Sequence, residues 1–242
     1  MFGVAFDKGS CRECEMERML AKDIVSGYGR RTVLCGVHLT ANAGECIGIV
    51  GENGCGKSTL LNILAGLRTP KTGGIYFDGQ KASGHSGIKI FRQYIGYVPQ
   101  DSNLIPELSV WDNLLIWYQN KGLLEHEINE GFLKVLGIDH MVRLKAGRLS
   151  GGMKKRVSIG CALAGRPPVL ILDEPDAALD LLGKADIRSY LVMYREIGGT
   201  ILLATHEEVD LDICDRVYVL KGGICKEIDR EVRGEKLLMQ LY

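Results

Sequence analysis

Gly51-Glu52-Asn53-Gly54-Cys55-Gly56-Lys57-Ser58-Thr59 satisfies the spacing G-x-x-x-x-G-K-[ST] at every position, a pattern whose physical task is to hold phosphates. The apolar run Cys46-Ile47-Gly48-Ile49-Val50 before it reads as a buried strand, and Ser58 to Ala65 after it reads as a helix. Glycines in the loop let the chain bend so that successive N–H groups face an anion. The helix starting near Lys57 adds the positive end of its dipole. Lys57 brings a mobile charge to the outer phosphates, and the Ser58 hydroxyl can ligate magnesium. The stretch therefore predicts that this chain binds a nucleoside triphosphate.

The rest of the chain sets bounds on that expectation. It has 242 residues, 46% of them hydrophobic, enough for one large α/β unit. Lys+Arg and Asp+Glu both number 30, and a net charge of zero argues against a general nucleic-acid binder. No stretch approaches the roughly twenty apolar residues of a membrane-spanning helix. Met1 to Ser10 contain Asp7 and no apolar core, so no secretory signal is read there and a cytosolic location is expected. Cys11-Arg12-Glu13-Cys14 has metal-like or redox-like spacing, but no second Cys or His pair follows, and nothing nominates His38 or Cys35 as a partner. Cys35, Cys46, Cys161 and Cys214 read as small core residues. Cys55 lies inside the phosphate loop, where a thiol reagent is expected to block binding.

From about Leu20 to Val50, short β-type runs (Ala21–Val25, Thr32–Leu39, Cys46–Val50) alternate with turn residues such as Gly27, Gly29 and Asn42. Ile75 to Gly79 and Tyr94 to Val98 add two more short strands. From Ser109 to about Gly165 the pattern turns helical, with Trp111, Leu114, Leu115 and Tyr118 on one stripe and Ile128, Phe132, Val135 and Leu136 on another. From Pro168 the β/α alternation returns, with strands at Val169–Leu172, Thr200–Ala204 and Asp215–Leu220 and a helix at Leu182–Ile197. Such alternation predicts a mostly parallel sheet covered on both faces and interrupted by a helical insertion. After Lys226 only a short tail is expected.

In open parallel sheets, ligands collect at the carboxyl ends of the strands. The phosphate loop follows the strand ending at Val50, Asp173 and Glu174 follow Val169–Leu172, His206 follows Thr200–Ala204, and Gln100 follows the strand around Tyr97. Four polar segments far apart in sequence are thus expected at one rim. Asp173 is placed to complete a magnesium shell opposite Ser58. Glu174 projects toward the water that attacks the γ-phosphate, as a general base must. His206 is a candidate to sense or polarise that phosphate, and Gln100 can join the magnesium or water shell.

Leu149-Ser150-Gly151-Gly152-Met153 resembles the LSGGQ signature of the ATP-binding subunits of ABC transporters, and the resemblance runs from about Ala21 to Lys226. Asp176-Ala177-Ala178-Leu179-Asp180 is similar to that family's D-loop. The resemblance implies a P-loop NTPase core of α/β class, with a mostly parallel sheet, an N-terminal antiparallel β subdomain and an inserted helical subdomain. The core would cover about 20–100 and 166–226, and the helices about 101–165. It implies that Tyr28 stacks on adenine, that Gln100 is the Q-loop glutamine and that His206 is the switch histidine. Ser150 is a good N-cap for the helix carrying Met153 to Leu163, and the Gly151 and Gly152 amides add an anion site. In the family two subunits pack head to tail, each signature capping the γ-phosphate held by the other, as an arginine finger does elsewhere. ATP and Mg2+ are the implied cofactors. The implied partners are a transmembrane permease and a second ATPase subunit, identical or related, at the inner face of the cell membrane.

Three departures stand out. Met153 replaces the usual Gln and is followed by Lys154-Lys155-Arg156, a form that resembles the ATPases of export systems. Asp176 stands where Thr is usual, adding a carboxylate near the subunit interface. Gly160-Cys161 replaces a common Ala-Arg pair, with no evident consequence. Export is the favoured direction, with Trp111, Trp117, Tyr118 and Gln100 expected around the groove that receives the permease. The alternative is a soluble or accessory ABC ATPase of the cell-division or lipoprotein-release type. A P-loop kinase is disfavoured by the signature and the D-loop.

Overall fold

Gly29, at φ 54°, turns the chain between two long strands, β1 (Glu17–Tyr28) and β2 (Arg31–Asn42), which pair antiparallel. The structure is a computed structural model describing residues 17–82, 84–176 and 179–241, so Cys11, Cys14, Ala177 and Ala178 lie outside the described residues. After β3 (Cys46–Val50) and α1 (Lys57–Leu64), strands β4 (Thr72–Phe77) and β5 (Gln80–Lys81) complete a four-stranded antiparallel sheet, ordered β2-β1-β4-β5. Helix α2 (Gly84–Arg92) leads to β6 (Ile95–Val98). Helices α3 (Val110–Tyr118), α4 (Lys121–Asn129), α5 (Phe132–Val135) and α6 (Gly151–Ala162) form the insertion. The β/α alternation resumes with β7 (Val169–Asp173), α7 (Leu181–Glu196), β8 (Thr200–Ala204) and β9 (Arg216–Lys221), then β10 (Ile224–Ile228) and α8 (Gly234–Leu241). The second sheet runs β10-β9-β3-β8-β7-β6, parallel throughout except for the β10–β9 hairpin.

The parallel strands are apolar at every position because each face meets a different core. Val169 and Ile171 of β7 join Leu60, Leu61 and Leu64 of α1 beneath the antiparallel sheet. Leu170 and Leu172 face the other way, toward Ile187 and Tyr190 of α7 and Leu114, Leu133 and Val157 of the insertion. Helix α1 is thereby clamped between the two sheets, which fixes where the phosphate loop opens.

Several expectations need correction. Gly27 belongs to β1 and makes no turn, yet its bareness matters, because a Cβ there would lie 2.1 Å from the Arg31 carbonyl oxygen. The stripe Ile128–Phe132–Val135–Leu136 is not one helix. It breaks at Gly131, where the Glu127 carboxylate accepts the Phe132 N–H at 3.0 Å, and Val135 faces solvent. Cys35 is exposed, since β2 alternates and Leu34 and Val37 take the buried side. The segment after Lys226 continues β10 and then forms α8, whose Leu237 is buried in the core. Helix α2 was not read from the sequence at all.

Candidate active site at the strand ends

Strands β3, β8, β7 and β6 are consecutive parallel neighbours, so their carboxyl ends share one rim. A cleft of about 440 Å³ at that rim is lined by Asn53, Gly54, Gly56, Lys57, Ser58 and Thr59 of the phosphate loop together with Gln100, Glu174 and His206. Gly54 (φ 77°) and Gly56 (φ 114°) adopt left-handed backbone that a side chain would strain. No side chain caps α1, so its first N–H groups are left for an anion. Gly51 allows close packing, because a Cβ would lie 2.6 Å from the Leu220 carbonyl oxygen. Cys55 is half-buried, and burial pushes its thiol pKa up.

Lys57 is buried, and its ammonium donates to the carbonyl oxygens of Gly51 at 2.9 Å and Glu52 at 3.3 Å. It also lies 3.0 Å from His206 Nε2 and 3.8 Å from Glu174 Oε1. His206 Nε2 is itself 2.8 Å from Glu174 Oε1. One ring nitrogen can accept from Lys57 or donate to Glu174, never both, so the three groups compete. Gln100 Nε2 donates to the second oxygen of Glu174 at 2.7 Å. Glu174 sits at φ 47°, its N–H bound to the Ala204 carbonyl at 2.9 Å. A non-glycine residue held there is strained, and such strain concentrates at working sites.

Asp173 ends β7, buried, with Oδ1 lacking any partner and the Ser58 hydroxyl within hydrogen-bond reach of the carboxylate. Burial pushes its pKa up; the Ser58 hydrogen bond and the Lys57 and Lys155 charges oppose that, while Glu174 adds to it. An orphaned buried carboxylate oxygen beside a serine hydroxyl is a donor set for a small hard cation.

Tyr28 projects from the end of β1, 56% exposed, with its hydroxyl 3.3 Å from Thr59 Oγ1. The Arg68 guanidinium lies over the ring, 4.0 Å from its centroid, and is anchored on Ser26 Oγ and the Gly27 carbonyl. Ser150 Oγ accepts the Met153 N–H at 3.3 Å and caps α6. Ser150, Gly151 and Gly152 do not line the cleft that holds Lys57. Asp180 caps α7 by accepting the Gly183 N–H at 2.8 Å.

The basic run after the signature is not one patch. Lys155 is buried and donates to the carbonyls of Pro99 at 3.1 Å and Gln100 at 2.8 Å, while Arg156 pairs with Asp186. Burial lowers the Lys155 pKa, opposed first by Asp173. No sequence signal marks Lys155, because its partners are backbone carbonyls 55 and 56 positions away. Asp176 also departs from expectation: it is buried within its own chain against Asp210 and Arg188.

A second groove, of about 470 Å³, lies between β6 and the insertion, lined by Leu67, Arg92, Tyr97, Pro99, Leu104 and Trp117 among others. Of the residues expected there, only Trp117 lines it. Trp111 packs against the helical core, Tyr118 is buried, and Gln100 faces the cleft.

Residues 34–177 match the sequence profile of the ABC transporter family. The chain is 36% identical over 207 residues to the Nod factor export ATP-binding protein I of Burkholderia lata, covering 84% of this chain and 67% of that protein. It spans 66% of the linearmycin resistance ATP-binding protein LnrL of Bacillus subtilis, so it covers about two thirds of such relatives. Among solved structures, the ATP-binding cassette MJ0796, dimeric in a post-hydrolysis state with ADP and Pi, superposes with TM-score 0.78 at 31% identity, over 89% of this chain and 99% of that one. The cbiO1 subunit from Clostridium perfringens, part of the ABC transporter complex cbiONQ, superposes with TM-score 0.79 at 34% identity, over 90% of each chain. With its phosphate loop, signature helix and strand-end carboxylates on one such fold, the chain belongs to the ABC transporter family as one of its ATP-binding cassettes.

Proposed function

We propose that this cassette hydrolyses ATP at a site completed by a second ATPase subunit, identical or related, and that the cycle of pairing and release drives a membrane permease in the export direction. One observation carries the reading. Lys57, Gln100, Glu174 and His206 converge within one cleft, while the Ser150–Gly152 anion site stands outside it. A second copy, packed head to tail, supplies what each cleft lacks; MJ0796 is solved as such a nucleotide-bound dimer pair.

In that reading Tyr28 stacks on adenine, and the loop from Gly51 to Thr59 with Lys57 holds the triphosphate. Incoming phosphate takes Lys57 away from Glu174 and His206. Glu174 is then free to accept the proton of the attacking water, while His206 stays within reach of the γ-phosphate. Gln100 orients Glu174 and the water. The partner's signature helix places its N-terminal amides on the charge that develops at the γ-phosphate. Ser58, Asp173 and Gln100 would hold Mg2+, which when bound neutralises phosphate charge.

The core (about 20–100 and 166–226) would carry the nucleotide, and the helical arm (about 101–165) would present the signature. The groove beside Trp117 would seat the permease, placing the cassette at the inner face of the cell membrane. The export direction leans on the SGGM form of the signature and on the Nod factor export relative.

Glu174→Gln tests the assignment. The variant should lose at least ~100-fold in ATP turnover and elute as an ATP-trapped dimer in size-exclusion chromatography. Turnover at the wild-type rate would remove Glu174 as the base.

A further inference from the structure

Asp176 follows Glu174-Pro175 and is 3% exposed, while Asp210, in the short 3-10 helix Glu208–Ile213, is 1% exposed. The two carboxyl groups are within hydrogen-bond reach of each other. Arg188 of α7 reaches both, with Nη1 3.5 Å from Asp176 Oδ2 and 3.4 Å from Asp210 Oδ1. The other Asp210 oxygen accepts the Thr205 hydroxyl at 2.5 Å, and that hydroxyl accepts the Glu207 N–H at 3.0 Å. A continuous chain of polar contacts thus runs from the segment after Glu174 to both neighbours of His206.

Two ionised carboxylates cannot hydrogen-bond each other, so the contact needs a proton. A single guanidinium does not balance two buried charges. The other charges around the pair are already committed. Lys184 of α7 is 2.7 Å from Glu207, and Lys155 of α6 is held by the Pro99 and Gln100 carbonyls. Burial, then the hydrogen bond to Asp210 and its charge, lift the Asp176 pKa to about 7, with Arg188 and Lys184 opposing.

We propose that Asp176 and Asp210 share one proton, and that this pair is a positioning latch fastening the segment after Glu174 to the loop that carries His206. The role of the latch rests on the ATPase reading above; the shared proton does not. Losing the proton leaves two like charges in a dry site, the latch opens, and Glu174 and His206 lose their register. The phosphate loop makes no contact with the pair, so the effect falls on kcat and spares the KM for ATP.

The test is a pH series on the full chain, wild type beside Asp176→Asn, whose amide donates to Asp210 at any pH. Wild-type kcat should fall as pH rises from about 6 to about 8, with KM unchanged, while Asp176→Asn holds its plateau. The same alkaline decline in both proteins would overturn the latch. Melting temperatures read the shared proton without any turnover. A carboxyl whose pKa is raised by folding binds its extra proton only when folded, so its contribution to stability declines from about pH 4 to about pH 7. Asp176→Asn should therefore gain in Tm relative to wild type between about pH 5 and about pH 8. A constant Tm difference would overturn the shared proton. A wild type without turnover at any pH, with the Tm difference still growing, would overturn the ATPase reading and the latch's role but keep the pair.

Discussion

At the scale of single residues, the cleft is built from groups that are uncomfortable where they stand. Asp173 keeps a buried oxygen without a partner, Glu174 holds left-handed backbone, and His206 is caught between an ammonium and a carboxylate. Each discomfort is relieved by the arrival of phosphate and a cation, which is how a site stores preference for its ligand. Tyr28 differs, because it is pre-set: Arg68 covers its ring and is tied to Ser26 and Gly27. Stacking of this kind is worth about 1 kcal/mol. Tyr28→Ala should therefore raise the KM for ATP about fivefold or more with kcat little changed, since adenine is remote from the transferred group. Arg68→Ala should shift KM the same way by less. Steady-state kinetics on both variants decide this, and a kcat effect without a KM effect would show that Tyr28 does not hold the base.

Among the elements, α6 and the chain's last strand and helix do more than their sequences advertise. Helix α6 presents the Ser150–Gly152 amides at one end and, one turn on, grips the Gln100 segment through Lys155. Any shift of the insertion is therefore felt at Gln100, which touches Glu174. Helix α8 is amphipathic and buries Leu237 among residues of the second core. Truncating a buried leucine costs about 2–5 kcal/mol. Leu237→Ala, at the surface-proximal end of that core, should lie near the lower end, ~2 kcal/mol, and lower the urea midpoint of unfolding. An unchanged midpoint would mean that α8 is a bystander.

On the scale of the molecule, the sites on one chain are complementary and separated: a phosphate cradle in one place, an uncovered helix N-terminus in another. Two defective copies should then rescue each other. Lys57→Ala removes the cradle, and Ser150→Arg blocks the signature, so each alone should be inactive. Mixed, they form pairs with one intact composite site, and ATP turnover should return. An inactive mixture, with both variants folded by circular dichroism, would place the whole reaction within one chain.

The sequence by itself determined the chemistry-bearing segments, because a strand must precede each of them and apolar runs announce strands. Gly51 to Thr59, Asp173-Glu174 and His206 were legible on those grounds, and so was the division into a β/α core and a helical insertion. Tertiary structure alone decided which charges are buried together. Asp176 with Asp210 and Arg188, Lys155 on two carbonyls, Arg68 over Tyr28 and Leu237 in the core all join positions whose spacing carries no period. Local patterns report how one element meets water; they are silent on which element lies across from it, and that opposition sets the protonation of a buried carboxyl.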